Sequence, residues 1–262
     1  MTEAPLETLV GYKDVNRLAW TRLASQGNTA SQPFGKTQLA EARSWLDPHG
    51  WIDWTRIRNV LCLASGGGQQ VVLFASLDCV VVSADLCPEQ LAMDLETARK
   101  HGFDIECVEA DMLNLSPLHG RNFDLVYQAI SACYVPTVRR LYDEVALVLR
   151  PGGHYRVDHW NPLHMQLGDA PLWTGRGYEL VRKCVSGSRH VWRCAGGSGT
   201  NDTECWHYLH SLTDLIGSLC DSGFSIVRFA ERGGEFENAE LGSDAHVTSF
   251  IPPVLSLYAQ KA

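Results

Sequence analysis

The chain has 262 residues, 45% of them apolar and 20% charged, with a formal net charge of −8, which suits one α/β domain with a sizeable core. The acidic balance and scattered basic residues, whose nearest approach to a cluster is Arg139-Arg140, exclude a surface built to neutralise phosphates, and no apolar run is long enough to span a membrane. Nine cysteines without a Cys-x-x-Cys pair speak against a disulfide framework or a zinc cage, leaving a small molecule as the expected partner, with no nucleic acid, membrane or metal. A helix is expected from about Leu9 to Gln26, with Val10, Val15, Leu18, Ala19 and Leu23 near helical spacing, and a second from Thr37 to Trp45, ended by Asp47-Pro48-His49-Gly50. Val60-Leu61-Cys62-Leu63 reads as a buried strand that meets the glycines 66–68 and opens a helix from Gln69 to Ser76. Cys79 to Asp85 is a β-branched strand ending in an acid, and Pro88 starts a helix to about His101. Ile105 to Glu109 and Phe123 to Gln128 are further strands, followed by a helix from Thr137 to Leu149; Arg150-Pro151-Gly152-Gly153 stops it and launches a strand from His154 to Trp160.

Strands alternating with helices imply a parallel sheet covered on both faces, with ligands beyond the carboxyl ends of the strands. The alternation breaks between Asn161 and Glu204. There Tyr178–Cys184 and Arg189–Cys194 are expected to pair around Ser186-Gly187-Ser188, with Gly196-Gly197-Ser198-Gly199 as a tip. Ser211 to Asp221 reads as a helix, Phe224 to Ala230 as a strand and Val247 to Tyr258 as a broken last strand that adds an antiparallel edge. The expected division is a helical segment over 1–58, a ligand-binding core over 59–160, a cap insertion over 161–205 and closing elements over 206–262, all one domain. The start Met1-Thr2-Glu3-Ala4 lacks a basic stretch followed by an apolar one, so a cytoplasmic protein, monomeric or homodimeric, is expected.

The strand–glycine–helix junction points to a nucleotide-like ligand. A dinucleotide fingerprint places its third glycine at Val71, and a phosphate loop needs a lysine and a hydroxyl where Gln69-Gln70 stand. The segment instead resembles the first motif of class I S-adenosylmethionine-dependent methyltransferases, roughly acid-x-Gly-x-Gly-x-Gly, with Ala64, Gly66 and Gly68 in the glycine places and Cys62 where the family usually carries an acid. The runs Leu61–Gln70, Pro88-Glu89-Gln90-Leu91, Tyr134-Val135-Pro136, Leu149–Gly153 and His210–Asp214 look like a bacterial group of small-molecule methyltransferases. Asn16–Trp20 and Gly27-Asn28 fit the same group. The resemblance implies a Rossmann-like fold: a seven-stranded, mostly parallel sheet with helices on both faces, N-terminal helices and a cap insertion. It implies S-adenosylmethionine as cofactor, released as S-adenosylhomocysteine, with Asp85 accepting from the ribose hydroxyls and Asp111-Met112 at the adenine. Gln128 and Ala129 then meet the methionine end, while Ala64, Ser65, Gly66, Gly68, Gln69, Leu86 and Gln90 complete the cofactor set.

Methyl transfer from a sulfonium is an in-line displacement in which alignment does most of the work. If the acceptor must lose a proton, histidine suits the role near neutral pH, and His159, His207 and His210 are the candidates, with His164 nearby. His210 also precedes Ser211-Leu212-Thr213-Asp214, a helix-capping pattern. Tyr134, Trp160, Trp173 and Trp192 are candidate walls for a flat, aromatic or heteroaromatic acceptor of specialised metabolism; the alternative for the cap aromatics is packing on the sheet. Two other functions share the scaffold: a cyclisation or rearrangement beside a bound sulfonium, and non-catalytic binding.

Overall fold

A computed structural model describes residues 11–27, 31–194, 203–234 and 238–262. Leu9-Val10, Asn28 and the expected tip at Gly196–Gly199 lie outside the described residues. The first helix, α1 (Tyr12–Ser25), buries Tyr12, Asn16, Ala19 and Leu23, one stripe at helical spacing. The second expected helix is two short ones, α2 (Lys36–Ala40) and α3 (Ala42–Leu46), divided at Glu41, whose backbone leaves the helical region at φ −114° and ψ 26°. The core then follows: β1 (Asn59–Leu63), α4 (Gln70–Ser76), β2 (Val80–Asp85), α5 (Pro88–Lys100), β3 (Glu106–Glu109), β4 (Phe123–Gln128), α6 (Val138–Val148) and β5 (Leu149–Trp160).

The expected turn Arg150–Gly153 lies within β5 rather than ahead of it. Phe123 pairs with Leu149 and Leu125 with His154, so β5 carries a bulge there. A Cβ on Gly153 would stand 2.9 Å from the Arg150 carbonyl oxygen and 3.0 Å from that of Phe123. The glycine lets the strand pass where a side chain would collide.

Past β5 come α7 (Pro162–Met165), β6 (Ser188–Cys194), β7 (Thr203–Leu209), a π-wound turn at Thr213–Gly217, α8 (Ser218–Asp221), β8 (Phe224–Arg232), α9 (Asp244–Phe250) and β9 (Val254–Lys261). The sheet has seven strands in the order β3-β2-β1-β4-β5-β9-β8. Pairings from β3 through β5 are parallel, and β9 runs antiparallel to both neighbours. One apolar cluster joins Leu61, Leu63 and Tyr155 to α6; another joins Val60, Cys62 and Leu125 to α4. This is the seven-stranded, mostly parallel sheet with helices on both faces that the sequence implies.

Three expectations change beyond β5. Residues 178–184 form no strand; the partner of β6 is β7, in a register from Ser188↔Leu209 to Cys194↔Thr203. Val181 and Arg182 donate their backbone N–H groups to the Gln166 carbonyl, at 2.8 and 3.0 Å, and the adjacent Leu180 and Val181 side chains are both exposed. The expected strand from Val247 begins as helix α9, because the Ser243 hydroxyl caps it by accepting from the His246 N–H; Pro252-Pro253 then separates it from β9. In the late helix, Ser211 Oγ accepts from the Asp214 N–H (3.2 Å) and donates to its carboxylate (2.9 Å), so a helical start forms as the capping pattern suggests, but the next turn is π-wound.

His159, His207 and His210 are all buried. His159 Nε2 meets the Tyr142 hydroxyl at 3.1 Å, and His210 Nε2 meets the Ala132 and Val135 carbonyls at 3.2 and 3.0 Å. Burial holds their pKa values down, His159 to about 3 and His207 and His210 to about 4. The folded chain keeps these rings neutral, while the unfolded chain takes up protons below about pH 6.5. Their favourable contribution is therefore fully present above that pH and declines as pH falls toward 4. Thermal unfolding followed between pH 7.5 and 4.5 should show a falling midpoint, with a shallower fall in His207→Phe; an unchanged slope in that variant would assign the acid sensitivity elsewhere.

Candidate functional site

The carboxyl ends of β1, β2, β3 and β4 open onto one cavity of about 310 Å³, a size usual for a small-molecule site. It lies where the strand order reverses between β1 and β4, the place at which such sheets bind ligands. Its floor is the loop after β1. Ala64 (φ 52°) and Gly66 (φ 77°) take left-handed backbone conformations and line the cavity. Gly68 does not line it. A Cβ there would stand 2.5 Å from Thr97 Oγ1 and 3.1 Å from Pro33 Cβ, so this glycine is required by the close approach of α5. Ser65 likewise turns under the loop, buried against Ser83 and Asp94.

Asp85 ends β2 and lines the cavity, with the Cys87 N–H donating to its carboxylate at 2.8 Å. Burial pushes its pKa up to about 7, and the Asp94 charge adds to that push. Asp111, after β3, also lines the cavity and anchors α1: Lys13 Nζ lies 2.6 Å and the Tyr12 hydroxyl 2.8 Å from the same carboxylate oxygen. Gln69, Leu86, Gln90, Met112 and Ala129 are on the wall. Gln90 donates to Ser31 Oγ at 2.9 Å, while its buried Oε1 has no hydrogen-bond partner among the described residues. Gln128 is not on the wall; it is buried beneath it, accepting from the Tyr155 hydroxyl and donating to Ser131 Oγ at 2.8 Å.

Sequence reasoning missed the wall supplied by α1. Tyr12, Asn16, Arg17 and Trp20 all line the cavity. Asn16 fixes the helix: its side-chain amide donates to the Tyr134 and Trp206 carbonyls (3.0 and 3.1 Å) and its Oδ1 accepts from the Trp206 N–H (2.7 Å). An asparagine on the buried stripe of an amphipathic helix was the available signal. Gln70, Asp158 and Arg232 were also unforeseen. Asp158 accepts from Arg156 at 2.6 Å, Arg232 at 2.7 Å and Ser256 at 2.6 Å, a buried network at the end of β5.

The expected catalytic histidines are not on this cavity. Along β5, Asp158 faces it and His159 therefore faces away, toward Tyr142 on α6. His207 lies behind Tyr134, with ring centroids 4.9 Å apart, and stacks on Trp192 at 5.0 Å. His210 holds the carbonyls of the turn 132–135. Among the expected pocket walls, Tyr134 lines the cavity, edge-to-face with Trp20 at 5.4 Å. Trp160 instead borders a separate void of about 10 Å³ with His159 and His210, room for about one water. Trp173 packs with Tyr178, His246 and Phe250, and Trp192 packs under α1, so both are structural cap aromatics. Their side-chain types suggested a ligand, but their strands and loops turn them elsewhere. Among the described residues no group of three or more His, Cys, Asp or Glu is arranged to hold a metal ion.

Comparisons with known proteins bear on the family and the fold. A family described as a methyltransferase domain matches residues 61–157. An uncharacterized methyltransferase of Bacillus subtilis, YbaJ, is 28% identical over 233 residues, covering 84% of this chain and 91% of that protein. An S-adenosylmethionine-dependent methyltransferase of Mesorhizobium loti superposes with a TM-score of 0.62 at 23% identity, over 85% of this chain and 100% of that one. The 1,6-didemethyltoxoflavin-N1-methyltransferase of Burkholderia thailandensis, solved with 1,6-didemethyltoxoflavin and S-adenosylhomocysteine bound, superposes at 0.59 with 16% identity, over 100% of this chain and 93% of that one. These two superpositions carry the fold.

The charged end of the cavity yields a stability test. Removing the Asp158 carboxylate leaves Arg156, 1% exposed, without its acidic partner, at an expected cost of about 3–5 kcal/mol. Urea unfolding of Asp158→Ala should register that loss; a change within about 0.5 kcal/mol, the range of ordinary surface substitutions, would show that the network contributes nothing.

Proposed function

The chain belongs to the class I S-adenosylmethionine-dependent methyltransferase family, and we propose that its cavity aligns that cofactor with a small-molecule acceptor and carries out methyl transfer between them. The observation that carries this reading is the convergence of the glycine loop, Asp85 and Asp111 on one cavity at the strand-order reversal. The residues present fit the cofactor. Two carboxylates stand at the ends of β2 and β3, and the open backbone at Ala64 and Gly66 leaves room against the loop.

Bound there, S-adenosylmethionine supplies an electrophilic methyl group on a sulfonium and leaves as S-adenosylhomocysteine. Asp85 accepts hydrogen bonds from the ribose hydroxyls. Asp111 accepts from the adenine amino group beside the apolar wall of Met112. Leu86 and Gln90 enclose the adenosine, and Gln69 and Ala129 border the methionine end. Ser65, Gly68 and Gln128 act from behind, by holding the loop and the end of β4 in place.

At the acceptor end, Trp20 and Tyr134 form an aromatic wall, with Ile130 and Ser131 beside them and the Asp158–Arg232 pair at its charged side. The aromatic wall supports a flat, aromatic or heteroaromatic acceptor, and a role in specialised metabolism is part of the same proposal. No histidine borders the cavity among the described residues. The chain therefore contributes alignment rather than an imidazole base, and His159, His207 and His210 serve the fold.

Methyl-labelled cofactor offered with a fractionated metabolite extract should give a labelled small product and one S-adenosylhomocysteine per methyl group. A cofactor-dependent product formed without S-adenosylhomocysteine would replace methyl transfer by a cyclisation or rearrangement. Failure of the folded protein to bind the cofactor would leave a non-catalytic protein.

A pH dependence follows from Asp85. Its pKa of about 7 without ligand means that a proton competes with the ribose hydroxyls, which need the carboxylate as acceptor. Affinity for S-adenosylhomocysteine should thus be level above pH 8 and fall as pH drops through 7. Asp85→Asn should weaken binding by about tenfold or more and flatten this profile. Calorimetry between pH 6 and 8.5 checks both; a profile in Asp85→Asn as steep as that of the original protein would remove Asp85 from the ribose.

A further inference from the structure

Position 62, at the carboxyl end of β1, is a cysteine that is 1% exposed and packed in the apolar cluster under α4. Burial raises its thiol pKa well above the usual value, so it offers the loop no charge. The loop nevertheless needs a strong acceptor. Ala64, Gly66 and Gly68 all hold positive φ angles, an arrangement that exposes backbone N–H groups needing partners. A carboxylate meets that need from another element. Asp94, two turns into α5, is wholly buried. It accepts from the Gly68 N–H through Oδ1 and from the Ser65 hydroxyl through Oδ2, and Ser83 Oγ on β2 donates to that same Oδ2 at 2.6 Å. Ser83 is the β2 residue paired in register with Cys62. The carboxylate thus stands one strand over from the cysteine, on the same face of the sheet.

Asp94 lies on the buried face of α5 with Gln90, Leu91, Thr97 and Ala98, where an apolar residue would pack at no electrostatic cost. Burial pushes its pKa up, and the hydrogen bonds from Ser65, Ser83 and Gly68 oppose that push. Among the described residues no cation is paired with it, and those three donors are what the buried carboxylate gains. It does not line the cavity.

We propose that Asp94 is the positioning residue of the cofactor loop: from α5, it fixes the backbone of Ser65–Gly68 in the conformation that receives S-adenosylmethionine, the task left open by Cys62 at the end of β1. The inference rests on the methyltransferase reading of the cavity. The carboxylate ties the loop to two elements at once, so that α5, β2 and the loop hold one fixed geometry before the cofactor arrives. Ser65 is part of the same device: its hydroxyl bonds to Asp94 and Ser83 and does not line the cavity.

The test compares the original protein with Asp94→Asn and Ser65→Ala, using S-adenosylhomocysteine as the probe. Calorimetry reads affinity, and hydrogen exchange of the unliganded protein reads the segment 64–70. Asp94→Asn keeps the shape but removes the negative charge, so the hydrogen bonds that hold the loop lose their charge-assisted strength. Affinity should fall by about tenfold or more, and exchange in 64–70 should quicken by a similar factor relative to the sheet core. Ser65→Ala should show the same two changes at about threefold, which keeps the test open if Asp94→Asn fails to fold. A merely structural carboxylate would lower the unfolding midpoint while leaving both the affinity of the folded protein and the exchange of this segment as they were, and that result would overturn the proposal. If the original protein binds the probe and the variants match it, only the role of Asp94 falls. If the original protein, shown to be folded, binds none, the methyltransferase reading falls and takes this inference with it.

Discussion

The buried carboxylate of Asp94 joins three parts of the molecule that the site cannot do without. Its hydrogen bonds reach the loop at Ser65 and Gly68 and the second strand at Ser83, while its own backbone belongs to α5. The close approach of that helix is what makes Gly68 a glycine, since Thr97 on the next turn leaves no space for a Cβ. A charge buried without a counter-ion is expensive. Here its hydrogen bonds hold a left-handed loop open, and Asp85, whose N–H donors include the Gly66 backbone, inherits its setting from that loop.

The other half of the cavity depends on α1. Tyr12 and Lys13 attach the helix to Asp111, and Asn16 attaches it to the Tyr134 turn and to β7. The two-stranded ribbon of β6 and β7 thereby acts at one remove. It does not wall the cavity with its own aromatics; it supports the helix and the Tyr134 turn that do, through Trp192 and His207. His207 and His210 belong to this support, and His159 packs beside it on β5 against Tyr142. Kept neutral by burial, they fill space and bridge elements without facing the ligand space.

Much of the sheet was legible because each strand is a short apolar run bounded by glycine, proline or an acid, and each core helix carries a stripe or a proline start. The alternation of the two implies the parallel order. Most of the residues expected around a cofactor line the cavity for the same reason: they sit at strand ends, which sequence locates to within a residue or two. The opposite wall was not legible, Tyr134 apart. It draws on α1, the turn 130–135, β5 and β8, distant in sequence, and which side chains face the cavity turns on parity. Asp158 and His159 are adjacent, and only the pairing of β5 decides which one meets the cavity. Residues 178–184 alternate like a strand, yet their backbone N–H groups at Val181 and Arg182 are taken by Gln166, a long-range choice that no local pattern encodes. Asp94 was legible in principle, as an acid on a buried stripe, but its partners lie on other elements.

The most direct test of the account is a crystal structure of the complex with S-adenosylhomocysteine. The account predicts the adenosine between Asp85 and Asp111, the homocysteine chain along Ala64 and Gly66, and Asp94 still bonded to Ser65 and Gly68. A ligand seated elsewhere on the chain, or a loop that abandons Asp94 to receive it, would contradict the account.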